Sequence, residues 1–141
     1  MIQESLYSKL AGAAGVTAIV STRIYPLVIP QTVYSEATKQ PCIVYSVDGK
    51  VRQVRFSGTD TLVTGSFTVD SYARSYQAVQ ALAAAVRTAL VDQSGTWTDS
   101  DSPQDSVSVQ KVFIESEFDL MDEDPGLYRV SQQYTIWYDE A

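Results

Sequence analysis

The side chains abundant enough to do chemistry in this chain are carboxylates. Glu115, Glu117 and Asp119 alternate along one stretch, and Asp119, Asp122, Glu123 and Asp124 crowd the next. Two carboxyl groups flanking a glycosidic bond can act as acid and base, and clustered oxygens suit a hard cation such as calcium. Neither pattern is complete. On a strand, Glu115 and Glu117 point the same way and read as one solvated strip. The 119–124 cluster lacks the spaced Asp-x-Asp-x-Asp-Gly loop with a distant closing glutamate. It reads as a solvated turn or as a tip that meets a basic partner. Asp99, Asp101 and Asp105 sit in a Ser-rich loop and read as solvated; Trp97 beside them either folds back onto the core or makes a contact.

Other chemistries lack their parts. The chain has no histidine, which removes the commonest general base and the commonest metal ligand. Its single cysteine, Cys42, cannot form an internal disulfide or a cysteine-based zinc site. Cys42 precedes "IVYSV" and reads as a small core filler. The seven glycines are scattered, so no phosphate loop is formed. The expectation is no enzyme activity, no catalytic residues, no metal and no cofactor.

The elements that would position these residues follow from periodicity. The 141 residues suit one domain, 1–141. Residues 2–14 carry Ile2, Leu6 and Leu10 at helical spacing, with Gly15 as the stop. Residues 75–93 form the clearest helix, with Ser75 as cap and Val79, Leu82, Ala83, Val86 and Leu90 as its buried stripe. "CIVYSVDGK" and "TLVTGSFTVDSYA" alternate as strands, and Gly65 marks a bend or bulge. "SVSVQKVFIESEF" and "LYRVSQQYTIWYDE" read as a hairpin whose acidic tip holds Pro125-Gly126. In the first of these, Val109 and Phe113 fall on one face, and Val112, Ile114 and Phe118 on the other. The predicted fold is α+β: an antiparallel four-stranded sheet with two helices packed on one face, plus an extended arm after the first helix.

That arm is the other feature that asks for an explanation. "VSTRIYPLVIPQ" places Ile24, Tyr25, Leu27, Val28 and Ile29 around Pro26 and Pro30. It is too apolar for an ordinary surface loop and too proline-broken for a helix or central strand. Something must cover it: its own sheet edge, or a neighbouring subunit on which an extended segment docks. The formal charge is −7 and the ten basic residues are dispersed, so specific nucleic-acid binding is not expected. The opening "MIQESLYSKL" lacks the apolar core of a signal peptide, and no run is long enough for a bilayer-spanning helix.

These stretches also resemble a known family. "ESLYSKLAGAAGVTAIVSTRIYPLVIPQ", "QPCIVYSVDG", "FTVDSYARSYQAVQALAAAVRTAL" and "YRVSQQYTIWY" are similar to the tail-completion and tail-terminator proteins of tailed bacteriophages. The resemblance covers most of the chain outside residues 31–40 and 93–105. It implies a structural virion protein of the neck that assembles in the host cytoplasm. Such proteins form a ring, usually a hexamer, that caps the tail tube and receives the head connector. The implied partners are copies of itself, the tail tube protein and connector proteins, with DNA passing through unbound and no membrane. The residues singled out for interfaces are Ile24, Tyr25, Leu27, Val28, Ile29, Asp122, Glu123 and Asp124. Two alternatives stand beside this: a head-side adaptor or stopper, and a small non-viral ligand-binding domain with a pocket built from Tyr128, Tyr134 and Trp137.

Overall fold

A computed structural model describes residues 2–21, 23–26, 41–55, 58–91, 93–97, 107–122 and 127–139. The element order is α1 (Ile2–Ala11), α2 (Ala14–Val20), β1 (Ile24–Pro26), β2 (Cys42–Arg55), β3 (Gly58–Ala73), α3 (Tyr76–Leu90), β4 (Gly95–Trp97), β5 (Val107–Asp122) and β6 (Leu127–Asp139). One sheet holds all the described strands in the order β1-β2-β3-β6-β5-β4.

The expected four-stranded antiparallel sheet with two helices is therefore corrected on three counts. Among the described residues the sheet has six strands, it is mixed, and three helices accompany it. The extra strands are β1 and β4, three residues each, too short to carry a periodicity and defined only by what they pair with. β1 runs parallel to β2, with Ile24 opposite Ile43 and Pro26 opposite Tyr45. Proline is tolerated there because an edge strand leaves one side of its ladder unused. β4 pairs with the start of β5, placing Trp97 opposite Val107. The first helical stretch also splits. Gly12 N–H donates to Ser8 O as α1 ends, and Gly15, expected to be the stop, lies inside α2.

The long helix forms as its sequence dictates. Ser75 Oγ accepts from Ala78 N–H at 3.1 Å, satisfying one of the free N–H groups of the first turn. Val79, Leu82, Ala83, Val86 and Leu90 are all buried. In the sheet, alternation sends Val63, Phe67 and Val69 of β3, and Val130, Tyr134, Ile136 and Tyr138 of β6, to the helix side, where all are buried. Phe67 stacks on Tyr134 with ring centroids 5.1 Å apart. Leu6, Leu10, Val16 and Val20 of the two short helices join the same apolar cluster. Each fully buried side chain of this size contributes about 1.5–3 kcal/mol relative to exposure.

Two irregularities in β5 change which residues face inward. Register shifts fall between Val109 and Lys111, and between Ile114 and Ser116. Each inserts an unpaired residue and reverses the alternation beyond it. Val109 and Val112 are buried, and Ile114 packs against the same cluster. Phe113 and Phe118 are turned to the opposite, exposed face. The strict alternation read from sequence is corrected accordingly.

Gly65 also differs from expectation. It pairs in register with both Lys50 and Ile136, so no bulge occurs there. A Cβ at this position would lie 3.3 Å from Ile136 Cγ2 and 3.4 Å from Tyr138 Cε1, so the glycine permits close packing beneath the sheet.

Cys42 lies on the other face, buried with Val44 and Tyr72 and flanked by Tyr25. Burial pushes its thiol pKa up from 9.0 to about 11, opposed by the nearby Arg23 charge. Arg23 is held by bonds from its guanidinium to Pro41 O and Ile19 O.

Two outcomes follow from this packing. Gly65→Val should destabilise the fold by about 1–3 kcal/mol through overpacking, read as a lower urea midpoint with an unchanged slope. The raised thiol pKa favours the folded state while the unfolded chain's thiol would still be protonated. That contribution is complete below pH 9, is lost as pH rises towards 11, and amounts to about 2–3 kcal/mol at most. The stability difference between wild type and Cys42→Ala should therefore shrink across that range.

Candidate interaction surface

Two of the carboxylates singled out from the sequence, Glu117 and Asp119, are occupied with structure. Asp119 Oδ2 accepts from the Tyr76 hydroxyl at 2.8 Å, and Asp119 Oδ1 accepts from Gln80 Nε2 at 3.1 Å. That hydrogen bond, together with the carboxylate's charge, pushes the Tyr76 phenol pKa above its ordinary value. Glu117 Oε1 accepts from Arg87 at 3.0 Å and from Gln132 Nε2 at 2.7 Å. These bonds tie β5 to α3 and, through Gln132, to β6. The second register shift makes this possible by setting Glu117 opposite Gln132 on the helix side. Glu115 and Glu117 do not form the single strip their spacing predicts.

Gln132 is a buried polar group that the sequence pattern does not single out. It is fully buried and its Nε2 also donates to Ala83 O at 3.1 Å. Beside it, burial pushes the Tyr134 phenol pKa well above its usual range; the Glu117 charge adds to this and Arg87 opposes it. Among the described residues, no group of three or more His, Cys, Asp or Glu side chains could hold a metal ion. No helix among them is long and apolar enough to cross a membrane.

The arm is described only at its start. Ile24 is buried in the main core, and Tyr25 packs half-buried against Cys42, Val44 and Tyr72. Leu27, Val28 and Ile29 lie outside the described residues, as do Glu123, Asp124, Asp99, Asp101 and Asp105. Asp122 ends β5 opposite Leu127. Trp97, one of the two possibilities left open by the sequence, is folded into the core at 3% exposure.

The sheet face away from the helices is the more informative surface. Lys111, Phe113, Phe118 and Leu120 of β5 are paired there with Trp137, Thr135, Ser131 and Arg129 of β6. Phe113, Phe118 and Leu120 are 41%, 52% and 43% exposed, and Val51 of β2 is 66% exposed. Lys111 Nζ lies 5.2 Å from the Phe113 ring centroid. Leu62, Gln110, Lys111, Phe113 and Trp137 line a shallow hollow of about 380 Å³ on this face. The aromatic trio proposed for a ligand pocket is divided by the strand's alternation. Tyr134 is in the core, while Trp137 belongs to the outer hollow.

A second concavity of about 450 Å³ lies between α1, α3 and β4, and is lined by Ser5, Lys9, Thr88, Gln93 and Trp97 among others. No sequence pattern announced it, because its residues come from three separated elements.

No curated protein matches the chain in sequence. Among solved structures, a chain described as "Virion of native gene transfer agent (GTA) particle" has a similar fold, with a TM-score of 0.66 at 18% identity. The match covers 98% of this chain and 94% of that one. The family model for tail completion protein gp17 matches residues 4–139. With nearly the whole chain matched, from within α1 to the last residue of β6, the protein belongs to the tail completion protein gp17 family, whose members are structural components of phage tails.

Proposed function

We propose that this chain completes the phage tail as a ring of identical subunits, a hexamer, that caps the tail tube and receives the head connector. The observation that carries this reading is the open sheet face, where Phe113, Phe118 and Leu120 stand exposed along β5. Apolar groups gathered on one face are the usual signature of a surface buried by another molecule. A protein that works by contact needs such a face and no reactive group. The gene transfer agent likeness supports the same setting through fold.

Within this reading, the arm around Leu27, Val28 and Ile29 reaches a neighbouring subunit. Its prolines limit the flexibility lost on docking. Ile24 and Tyr25 anchor the arm's root in its own molecule. The acidic tip at Asp122, Glu123 and Asp124 meets a basic partner surface on the tube or connector. The net charge of −7 disfavours adhesion to DNA moving through the ring, because like charges repel over a screening length of about 8 Å at physiological salt.

The outer face and the arm are tested separately. Phe118→Asp with Leu120→Asp should leave the circular dichroism spectrum unchanged and the melting temperature within a few degrees. It should abolish ring formation on purified tail tubes, seen by negative-stain microscopy. Leu27→Ser with Ile29→Ser should likewise leave the monomer folded and disrupt assembly. Normal rings from both variants would refute the assignment of these surfaces. Separate pull-downs with tube and connector proteins distinguish a tail-capping role, in which the tube binds first, from a head-side adaptor, in which the connector does.

A further inference from the structure

The cleft between α1, α3 and β4 has the chemistry of a binding site. Lys9 stands in the last turn of α1, with its Nζ 5.8 Å from the centroid of the Trp97 ring. An ammonium over an indole face is held in place without losing its charge. Ser5 and Trp97 line the same cleft and are 0% and 3% exposed. Among the described residues, neither Ser5 Oγ nor Trp97 Nε1 has a hydrogen-bond partner. Buried donors without acceptors are uncommon in native proteins, and two of them beside one cation indicate an acceptor that comes from outside. The remaining wall includes Ala13 and Ala89, which suits a short aliphatic stem.

We propose that this cleft binds a carboxylate on a short aliphatic stem. Lys9 supplies the positive charge, and Ser5 Oγ and Trp97 Nε1 supply neutral donors. One cation matches one negative charge; a phosphate dianion would leave charge uncompensated in a partly enclosed site. Ionised acceptors make the shorter and stronger hydrogen bonds. A carboxylate of this kind comes from an aspartate or glutamate of an abutting protein, or from a small free acid. The site does not depend on ring formation and stands or falls separately from it.

The chain has two tryptophans, so Trp137→Phe leaves Trp97 as the sole indole reporter. This full-length variant is titrated with glutarate, with a short capped glutamate-rich peptide, with the same peptide carrying glutamine, and with inorganic phosphate. Trp97 emission should change saturably with glutarate or the acidic peptide, and the tighter of the two identifies the source. Lys9→Gln should weaken binding at least tenfold, and Ser5→Ala by a smaller factor. In the wild-type chain, the Trp97 indole N–H resonance should move with the same saturation, which keeps the test valid if Trp137→Phe perturbs the fold. The proposal is overturned if neither acid produces a saturable response, if Lys9→Gln binds as tightly, or if phosphate or the glutamine peptide binds as well.

Discussion

A six-stranded sheet has two faces, and among the described residues three short or medium helices bury one of them. Most other features follow from that asymmetry. The buried stripe of α3, from Val79 to Leu90, lies against β3 and β6, whose inner faces are filled by Phe67, Tyr134, Ile136 and Tyr138. Gly65 completes the fit by leaving out a side chain where Ile136 and Tyr138 already fill the space. With this core spent on one side, the outer face keeps a polar centre, made of Thr64, Ser66 and Thr68 with Thr135 and Gln133 of β6, and an apolar ridge on β5.

That ridge exists because β5 is irregular. Two inserted residues turn Val112 and Ile114 inward, Phe113 and Phe118 outward, and Glu117 back towards α3. The strand therefore serves two surfaces at once. Its helix side is fastened by Asp119 to Tyr76 and Gln80, and by Glu117 to Arg87 and Gln132. The Arg87–Glu117 pair is substantially exposed, so its worth lies in orientation more than in net stability. Bulges and charged side chains along an edge also discourage indiscriminate strand pairing. Such an edge fits the proposed association through the apolar face.

The parts of this arrangement that sequence could reveal are those governed by local rules. Ser75 as a cap, the stripe of α3, and the alternation of β3 and β6 each rest on a periodicity carried by many residues in a row. The parts that were not legible rest on pairing between distant segments. β1 and β4 are strands only because β2 and β5 lie beside them. The β5 bulges fall at Gln110 and Glu115, residues whose types give no turn signal. The alternation of β6 puts Gln132 on the core face and Gln133 on the outer one, but nothing in "VSQQY" announces that Ala83 O and Glu117 meet Gln132 there. The Lys9–Trp97 cleft joins residues far apart in the chain. Family resemblance, by contrast, is carried by long stretches of sequence, which is why it was readable while the strand count was not.

The central claim is that the outer face of β5 is exposed in the free subunit and covered in the assembled tail. Hydrogen–deuterium exchange on residues 110–120, measured for the free protein and for the protein bound to tail tubes, addresses it directly. The account predicts strong additional protection of that stretch on assembly, with α3 unchanged. Equal exchange in the two states, in preparations where assembly is verified by microscopy, would contradict it.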